Sequence, residues 1–240
     1  EFRLAVKNYI QSFSSYSFRT EQKNLYAVLV LSAEKGSRNW FENMRGDLQK
    51  EFPGFQFSFY VSRIHENMYW EGAEAYREVM LLWKYRFYEL GEYYDYDKQK
   101  ERLEGEIRNF PDAVNNMIEH IKQNNSIAAF GLVKQYLYEA CKDKLPDPSK
   151  LCRSVMLLLF QIVQALDPMM SDSMKKKTDE ELMKIYQSET MGHLQRFVYS
   201  FLVELGKNVN FQKEIKGIDV LENCRGYLEK HYMEEITLES

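Results

Sequence analysis

Apolar side chains recur at the 3.6-residue period of an α-helix through the second half of the chain. Ala113, Met117 and Ile121 lie along one face of one segment, and a further segment runs from Ile127 to Ala140. This spacing collects the apolar residues on one side of a helix, which must then be covered by another element. Because several such helices follow one another, residues 99–216 are predicted to fold as a helical bundle.

The segment 151–166 is the most apolar of these helices. One side carries a continuous apolar stripe, which Met156 and Phe160 widen. The stripe consists of Leu151, Val155, Leu158, Leu159, Ile162, Val163 and Leu166. A helix of this kind is surrounded on most sides, so it is predicted to form either the centre of the bundle or a homodimer interface. The candidate interface residues are Val155, Leu158, Leu159, Ile162 and Leu166.

Proline and glycine divide this half of the chain. Breaks are expected at 109–112 and 145–148, where prolines stand between the apolar segments. Residues 169–178 are interpreted as a polar linker, and a long helix is expected from Leu182 to about Asn208. Gly217 is then predicted to separate the bundle from a terminal segment.

The first half mixes two periodicities. An apolar run at 25–31 and the alternating residues of 55–61 predict two strands. Helical spacing follows each strand, at 40–52 and 70–88. The predicted order is β-α-β-α over residues 1–98, a small α/β unit ahead of the bundle. The fold class expected for the whole chain is therefore α+β, mostly α.

Composition narrows the class of protein. The formal net charge of −4 argues against a nucleic-acid-binding surface within this segment, since such surfaces are normally basic. Three cysteines, Cys141, Cys152 and Cys224, are too few and too scattered for a disulfide framework, and they indicate reduced thiols in a cytoplasmic protein. The longest apolar run, Val155–Phe160, is far shorter than the roughly 20 residues that span a bilayer, so no membrane contact is expected.

The residues that usually carry chemistry do not cluster in the sequence. Cys141 and Cys152 have no second pair at zinc-binding spacing. The four histidines, His65, His120, His193 and His231, stand apart, and the first three have no Cys, His or carboxylate at the i+3 or i+4 distance of a helical metal site. The chain also lacks a Gly-rich phosphate loop. The sequence therefore predicts no catalytic, cofactor-binding or metal-binding residue, and a protein that is not an enzyme.

The C-terminal stretch has a distinctive spacing. Tyr227, Leu228, His231 and Tyr232 fall at i, i+1, i+4 and i+5, which is one face of a helix. Thr237 then occupies an N-cap position ahead of the last three residues. A helix of one turn is not stable alone. The chain is therefore expected to be part of a longer protein.

This stretch resembles the opening of the DNA-binding domain of AraC/XylS-type transcription regulators. In that family a YI-x-x-HY-x-x-x-I-(S/T)-L run forms the first helix and leads into the first helix-turn-helix. The matching residues here are Tyr227, Leu228, His231, Tyr232, Ile236, Thr237 and Leu238. The resemblance implies a truncated helix-turn-helix domain over 217–240, with the base-contacting residues outside this chain.

The first half resembles the degenerate GGDEF-like domain found in the middle of AraC-family response regulators of the YesN type. The residues that carry this second resemblance are Ala75, Tyr76, Glu78, Val79, Leu82, Arg86, Phe87, Tyr88 and Tyr96. A diguanylate cyclase needs a Gly-Gly turn so that its backbone can approach the nucleotide, and carboxylates to hold metal. This chain has no Gly-Gly, and Ser62–Glu66 follows the second predicted strand, so cyclase activity is expected to be lost.

Together the two resemblances imply the regulatory and dimerisation segment of an AraC-family regulator in a two-component system. Its partners would be DNA, through a C-terminal domain beyond Ser240, and a histidine kinase, through a receiver before Glu1. A homodimer is expected. The alternative is a cytoplasmic helical domain that senses a small molecule, because its phenylalanines, tyrosines and methionines are able to line an adaptable pocket.

Overall fold

The computed structural model describes residues 15–19, 25–30, 38–89, 91–107 and 113–231. The chain divides into two compact units with the boundary between Glu101 and Arg102, a few residues after the expected position near 98. We call them the N-terminal unit and the helical unit. Helix dominates and strands are few, which confirms the predicted class of α+β, mostly α.

The N-terminal unit contains four short strands and three helices among its described residues. In chain order they are β1 (Ser15–Arg19), β2 (Tyr26–Val30), α1 (Arg38–Glu51), β3 (Phe59–Val61), α2 (Met68–Tyr85), β4 (Tyr93–Asp95) and α3 (Tyr96–Gln99). Short 3-10 helices follow α2 at Arg86–Tyr88 and α3 at Lys100–Arg102. The predicted break at 109–112 lies outside the described residues.

The strands form two separate pairs instead of one layer. β1 pairs with β2 in antiparallel fashion, and β3 pairs in parallel with β4, so that Phe59 faces Tyr93 and Val61 faces Asp95. The strand observed in this region, β3, is shorter than the strand predicted at 55–61. A turn, in which the Phe55 amide donates to the Phe52 carbonyl at 3.1 Å, occupies the first residues of the predicted strand.

Two clusters of apolar side chains hold this unit together. Met44 and Leu48 of α1 are buried and pack against partly buried neighbours that include Val28 and Phe59. On the second helix, Leu82 and Tyr85 are buried, and Phe87 and Tyr94 further along the chain are buried as well. The apolar residues whose spacing predicts this helix are mostly not buried: among Ala73, Tyr76, Val79, Met80, Trp83 and Phe87, only Phe87 is buried, and Ala73 and Tyr76 are exposed.

The helical unit is built from five helices within residues 113–231. They are α4 (Ala113–Lys122), α5 (Ser126–Cys141), α6 (Pro148–Leu166), α7 (Asp172–Leu182) and α8 (Met191–His231). Side-chain caps stand at the start of several of them, including α5 and α6. Asn125 accepts from the Ala128 amide at 3.1 Å, and Asp147 accepts from the Ser149 amide at 2.9 Å, with Pro148 at the first helical position.

The apolar stripe of α6 lies in the core of the helical unit. Val155, Leu159, Ile162 and Leu166 are fully buried and Leu158 nearly so, all by residues of the same chain. These five side chains are therefore not an exposed dimer interface, because a partner could not reach them without opening the bundle. Of the two predicted roles for this helix, the structure places it at the bundle centre.

Two boundaries of the bundle were predicted wrongly. Residues 169–178 are not a linker: Asp172–Leu182 form α7, whose first turn is capped by the Ser171 hydroxyl. The last helix begins at Met191 instead of Leu182, and it continues through Gly217 to His231. A single glycine costs only about 1 kcal/mol in a helix, which flanking helical residues offset.

The segment Pro148–Met169, which consists of α6 and the 3-10 turn after it, is long and apolar enough to cross a membrane by length and composition alone. Core helices of globular proteins also have this length and apolarity. Here the apolar stripe of that helix is covered by its own bundle.

A glycine is required at position 105 because the backbone there lies very close to the backbone at Lys144 and Leu145. Its amide donates to the Leu145 carbonyl at 2.9 Å, and an added Cβ would lie 2.5 Å from the Lys144 carbonyl oxygen. We expect Gly105→Ala to lower the free energy of unfolding of the helical unit by about 2 kcal/mol, because the backbone must move apart. Chemical denaturation followed by circular dichroism at 222 nm would measure it.

Gly131 provides the matched control for that substitution. It lies exposed within α5, and a Cβ there would meet no atom within 4 Å. Gly131→Ala should stabilise the unit by about 0.5–1 kcal/mol through helix propensity alone. Equal effects of the two substitutions would contradict the close approach at Gly105.

Candidate functional site

The densest group of charged side chains contacts the loop that follows β3. β3 and β4 are parallel, so Arg63 and His65 after β3 begin at the same sheet edge as Tyr96 and Asp97 after β4. In α/β folds, ligands bind at the carboxyl ends of parallel strands. This edge is therefore the place in the N-terminal unit to look for chemistry.

Glu78 is the centre of the group. Its carboxylate, on a residue only 5% exposed, accepts hydrogen bonds from the Arg63 backbone amide at 3.1 Å and pairs with the Arg63 Nε at 3.0 Å. His65 Nε2 lies 3.2 Å from the same carboxylate. A buried carboxylate needs such partners, because an unpaired charge in the interior is costly. We call Arg63, His65 and Glu78 the Glu78 cluster.

Two further carboxylates of α2 complete the surroundings. Glu74 forms an ion pair with the Arg63 guanidinium. Glu71 lies 3.8 Å from His65 Nδ1 and accepts from the Asn67 amide at 3.1 Å. Because these carboxylates and Glu78 recur three and four residues apart, one face of α2 carries all three.

The electrostatics keep the Glu78 cluster paired. Desolvation lowers the pKa of Arg63, but the neighbouring Glu74 and Glu78 carboxylates outweigh it and raise that pKa overall. The guanidinium therefore stays charged at every pH at which the protein is folded. Glu71, Glu74 and Glu78 each face a positive or hydrogen-bonding partner supplied by the chain itself.

This arrangement is suited to fixing a loop. The loop 62–66 follows the strand where the GGDEF-like resemblance places its nucleotide-binding turn, and here two of its side chains reach back onto α2. Among the residues that the structure describes, no group of three or more His, Cys, Asp and Glu side chains is arranged to hold a metal ion. The side chains thus anchor the loop to the helix.

The tyrosines of β4 belong to the same region. Tyr94 is buried and stacks on Tyr60 of β3, with ring centroids 4.9 Å apart. Burial raises the pKa of Tyr60, although Arg86 and a hydrogen bond with Ser58 act in the opposite direction. The phenol therefore stays neutral at physiological pH and contributes packing.

Sequence spacing alone did not identify the Glu78 cluster. The carboxylate that contacts His65 is on the following helix, 13 residues away. It is not at the i+3 or i+4 position at which a helical metal site would place it. Glu78 was present among the residues that carry the GGDEF-like resemblance. The available signal was the helical spacing of Glu78 with Leu82 and Tyr85, which places a carboxylate on the same side of α2 as two large apolar residues.

The predicted opening of the helix-turn-helix domain is described only in part. Tyr227 lies on α8 and is exposed, as is Leu228 beside it. His231 is the last residue of this helix. Tyr232, Ile236 and Leu238 lie outside the described residues.

The three cysteines differ in accessibility. Cys224 is exposed, Cys141 is half-buried, and Cys152 is buried on α6, where desolvation raises the pKa of its thiol to about 11. At pH 8 roughly one Cys152 thiol in a thousand is then ionised. We expect Ellman's reagent to modify Cys224 rapidly, and Cys152 only after denaturant is added, because the thiolate is the reactive form.

Labelling followed by peptide mass mapping measures this order. Cys224→Ser should remove the fast phase and leave the slow one. Fast modification of Cys152 in the native protein would contradict the packing of α6.

Comparison with known proteins provides no relative. No family model, curated protein or solved structure matches the chain. Function has therefore to be inferred from the residues themselves and from the two resemblances.

Proposed function

We propose that this chain is the regulatory and dimerisation segment of an AraC-family DNA-binding transcription regulator. In this proposal a receiver before Glu1 is phosphorylated by a histidine kinase, as in a two-component system. A pair of helix-turn-helix motifs after Ser240 binds DNA. The chain itself catalyses no reaction and transmits the signal from one to the other.

The observation that carries this proposal is the continuity of α8. The helix contributes buried residues to the bundle, such as Leu194 and Leu202, and continues without a break to Tyr227 and His231. Those last residues are the ones that resemble the opening of the DNA-binding domain. With 41 residues, the helix is roughly 60 Å long at 1.5 Å per residue.

A helix of this length suggests a mechanical mechanism. A rotation or shift of α8 in the bundle would be carried to its end, because the backbone hydrogen bonds keep it rigid. Two DNA-binding domains must match the spacing of their half-sites, so a small change in the helix alters how well a dimer fits its operator. The upstream signal would thus shift the population of bundle arrangements.

The Glu78 cluster supports a scaffold role for the N-terminal unit. The loop 62–66 is fixed by contacts of Arg63 and His65, and it offers no paired glycines to a nucleotide. The net charge of −4 likewise favours a segment that does not touch DNA itself.

The natural reading frame on both sides of this segment, confirmed by the intact mass of the native protein, tests the proposal. A receiver before Glu1 and paired helix-turn-helix motifs after Ser240 are expected. A stop codon soon after Ser240 would remove the DNA-binding half and overturn the proposal.

Insertions in α8 test the mechanism in the full-length regulator. One alanine inserted after Gly217 rotates the rest of the helix by about 100°, and we expect it to abolish signal-dependent DNA binding. Seven inserted residues restore the rotation to within about 20°, so the response should largely return. Equal loss with both insertions would contradict transmission through helix phase.

A small-molecule sensor is the alternative. The hollow that favours it lies in the N-terminal unit and is lined by Phe41, Glu42, Arg45, Phe59, Glu92 and Tyr93. Its volume of about 250 Å³ is below the roughly 300–1,000 Å³ of ligand pockets, and the ion pair between Arg45 and Glu92 crosses it. A thermal-shift screen of small apolar compounds distinguishes the two: a saturable shift supports the sensor, and regulation by a receiver predicts none.

A further inference from the structure

The last part of α8 carries an exposed apolar face. Leu221 is 70% exposed and Leu228 is 52% exposed, and they share one side of the helix with three neighbours. We call the face the α8 stripe: Val220, Leu221, Cys224, Tyr227 and Leu228. Its residues recur at i, i+1, i+4, i+7 and i+8, which is the spacing of a helix that packs against another element.

Two of the charges beside the stripe, on Arg225 and Glu229, are paired within the helix. Arg225 Nε lies 2.8 Å from Glu229 Oε1, one turn further along. A shallow hollow on this face is lined by these two residues together with Leu221, Cys224 and Leu228. The face is therefore apolar at its centre and carries a neutralised pair at its edge.

The spacing of the stripe fits the seam of a coiled coil. Leu221 and Leu228 occupy successive a positions, and Cys224 occupies the d position between them. In a parallel, in-register pair each of these residues meets its own copy. Arg225 at e would then lie beside Val220 of the other copy, where its methylene stem covers apolar surface and its charge remains in water. Within the stripe, no two like charges face each other.

Antiparallel pairing of the same face is worse in either register. Packing Leu228 against Cys224 brings the Arg225 residues of the two copies together, which is a like-charge contact. Packing Leu221 against Cys224 instead leaves Leu228 opposite Gly217. Charge and shape both select the parallel arrangement.

We propose that two copies of this chain associate in parallel through the α8 stripe, with the two Cys224 side chains facing each other. This deepens the proposed function, on which it rests, by naming the contact between protomers. Parallel helices place both C-terminal ends on the same side. Two helix-turn-helix domains that follow them would then address one stretch of DNA.

Cross-linking at Cys224 tests the arrangement. The whole chain carrying Cys141→Ser is treated with a short bismaleimide over a series of protein concentrations, and covalent dimer is measured by denaturing electrophoresis. The matched control adds Cys224→Ser and Glu222→Cys, which moves the thiol to the opposite face of α8. We expect Cys224 to give at least about tenfold more dimer than the control, because cross-linking within a formed pair is effectively intramolecular. Equal yields overturn the proposal.

Leu228→Lys gives a second measurement. Since Leu228 is exposed, the substitution should leave thermal unfolding of the helical unit unchanged and reduce the Cys224 cross-link to the level of the control. Unchanged cross-linking with Leu228→Lys overturns the proposed seam. If paired helix-turn-helix motifs follow Ser240 but Cys224 does not cross-link, this interface fails and the regulator proposal stands. If Cys224 cross-links but no helix-turn-helix motifs follow Ser240, the interface stands and the regulator proposal fails.

Discussion

Leu159→Ala is expected to lower the free energy of unfolding of the helical unit by about 3 kcal/mol. Leu159 is fully buried in α6, and truncation leaves a cavity that the surrounding helices fill only in part. Chemical denaturation followed at 222 nm measures the change. Most of the helix in this protein belongs to the helical unit, so this signal reports mainly on that unit.

Leu157→Ala is the matched control, because it makes the same chemical change on the same helix. Leu157 is 48% exposed, and we expect its truncation to cost less than about 0.5 kcal/mol. The loss caused by Leu159→Ala should be the same at low and high protein concentration. A loss that depends on concentration would mean that the buried stripe of α6 faces another subunit after all.

The interior of the bundle was predictable because its helices are amphipathic. The period of Ala113, Met117 and Ile121 gave both the helix and its buried face, as α4 confirms. Periodicity could not say whether the stripe of α6 is covered by the same chain or by another copy. Both arrangements satisfy the same pattern, and only burial in the folded chain distinguishes them.

The polar helix α7 and the continuity of α8 were missed for a related reason. In α7 only Thr178 and Leu182 are buried, which is too few to produce a visible period. Its stability comes from the Ser171 cap and from packing against α6 and α8. Gly217 was interpreted as a break, but a single glycine is a weak signal inside a long helical sequence.

The strand pairs and the Glu78 cluster depend on contacts between distant residues. β1 has the sequence SYSFR, whose alternating Tyr and Phe favour a strand but extend over only five residues. The parallel pairing of β3 with β4 joins residues more than thirty positions apart. The Glu78 cluster needs that pairing and the position of α2 together, so no local pattern contains it. What the sequence did offer was a glutamate at helical spacing with Leu82 and Tyr85.

Glu78→Ala is expected to destabilise the N-terminal unit by about 3 kcal/mol. The substitution removes the partner of the Arg63 guanidinium and backbone amide, and it leaves His65, whose side chain is 3% exposed, without its nearer carboxylate. The Arg63 side chain is partly exposed, so water compensates for some of its loss, and the cost should fall at the lower end for a broken buried pair. All three tryptophans, Trp40, Trp70 and Trp83, are in this unit, so fluorescence during denaturation reports on it selectively.

Glu74→Ala is the control that distinguishes the effect of losing a buried carboxylate from the effect of losing a charge. Glu74 pairs with the same guanidinium, but its side chain is 48% exposed, and exposed ion pairs contribute only about 0–1 kcal/mol. We therefore expect Glu74→Ala to shift the fluorescence transition little, while Glu78→Ala shifts it strongly. If the two substitutions have equal effects, the loop after β3 is not held by a buried carboxylate. The N-terminal unit would then lose the contacts that make this loop a fixed part of a scaffold.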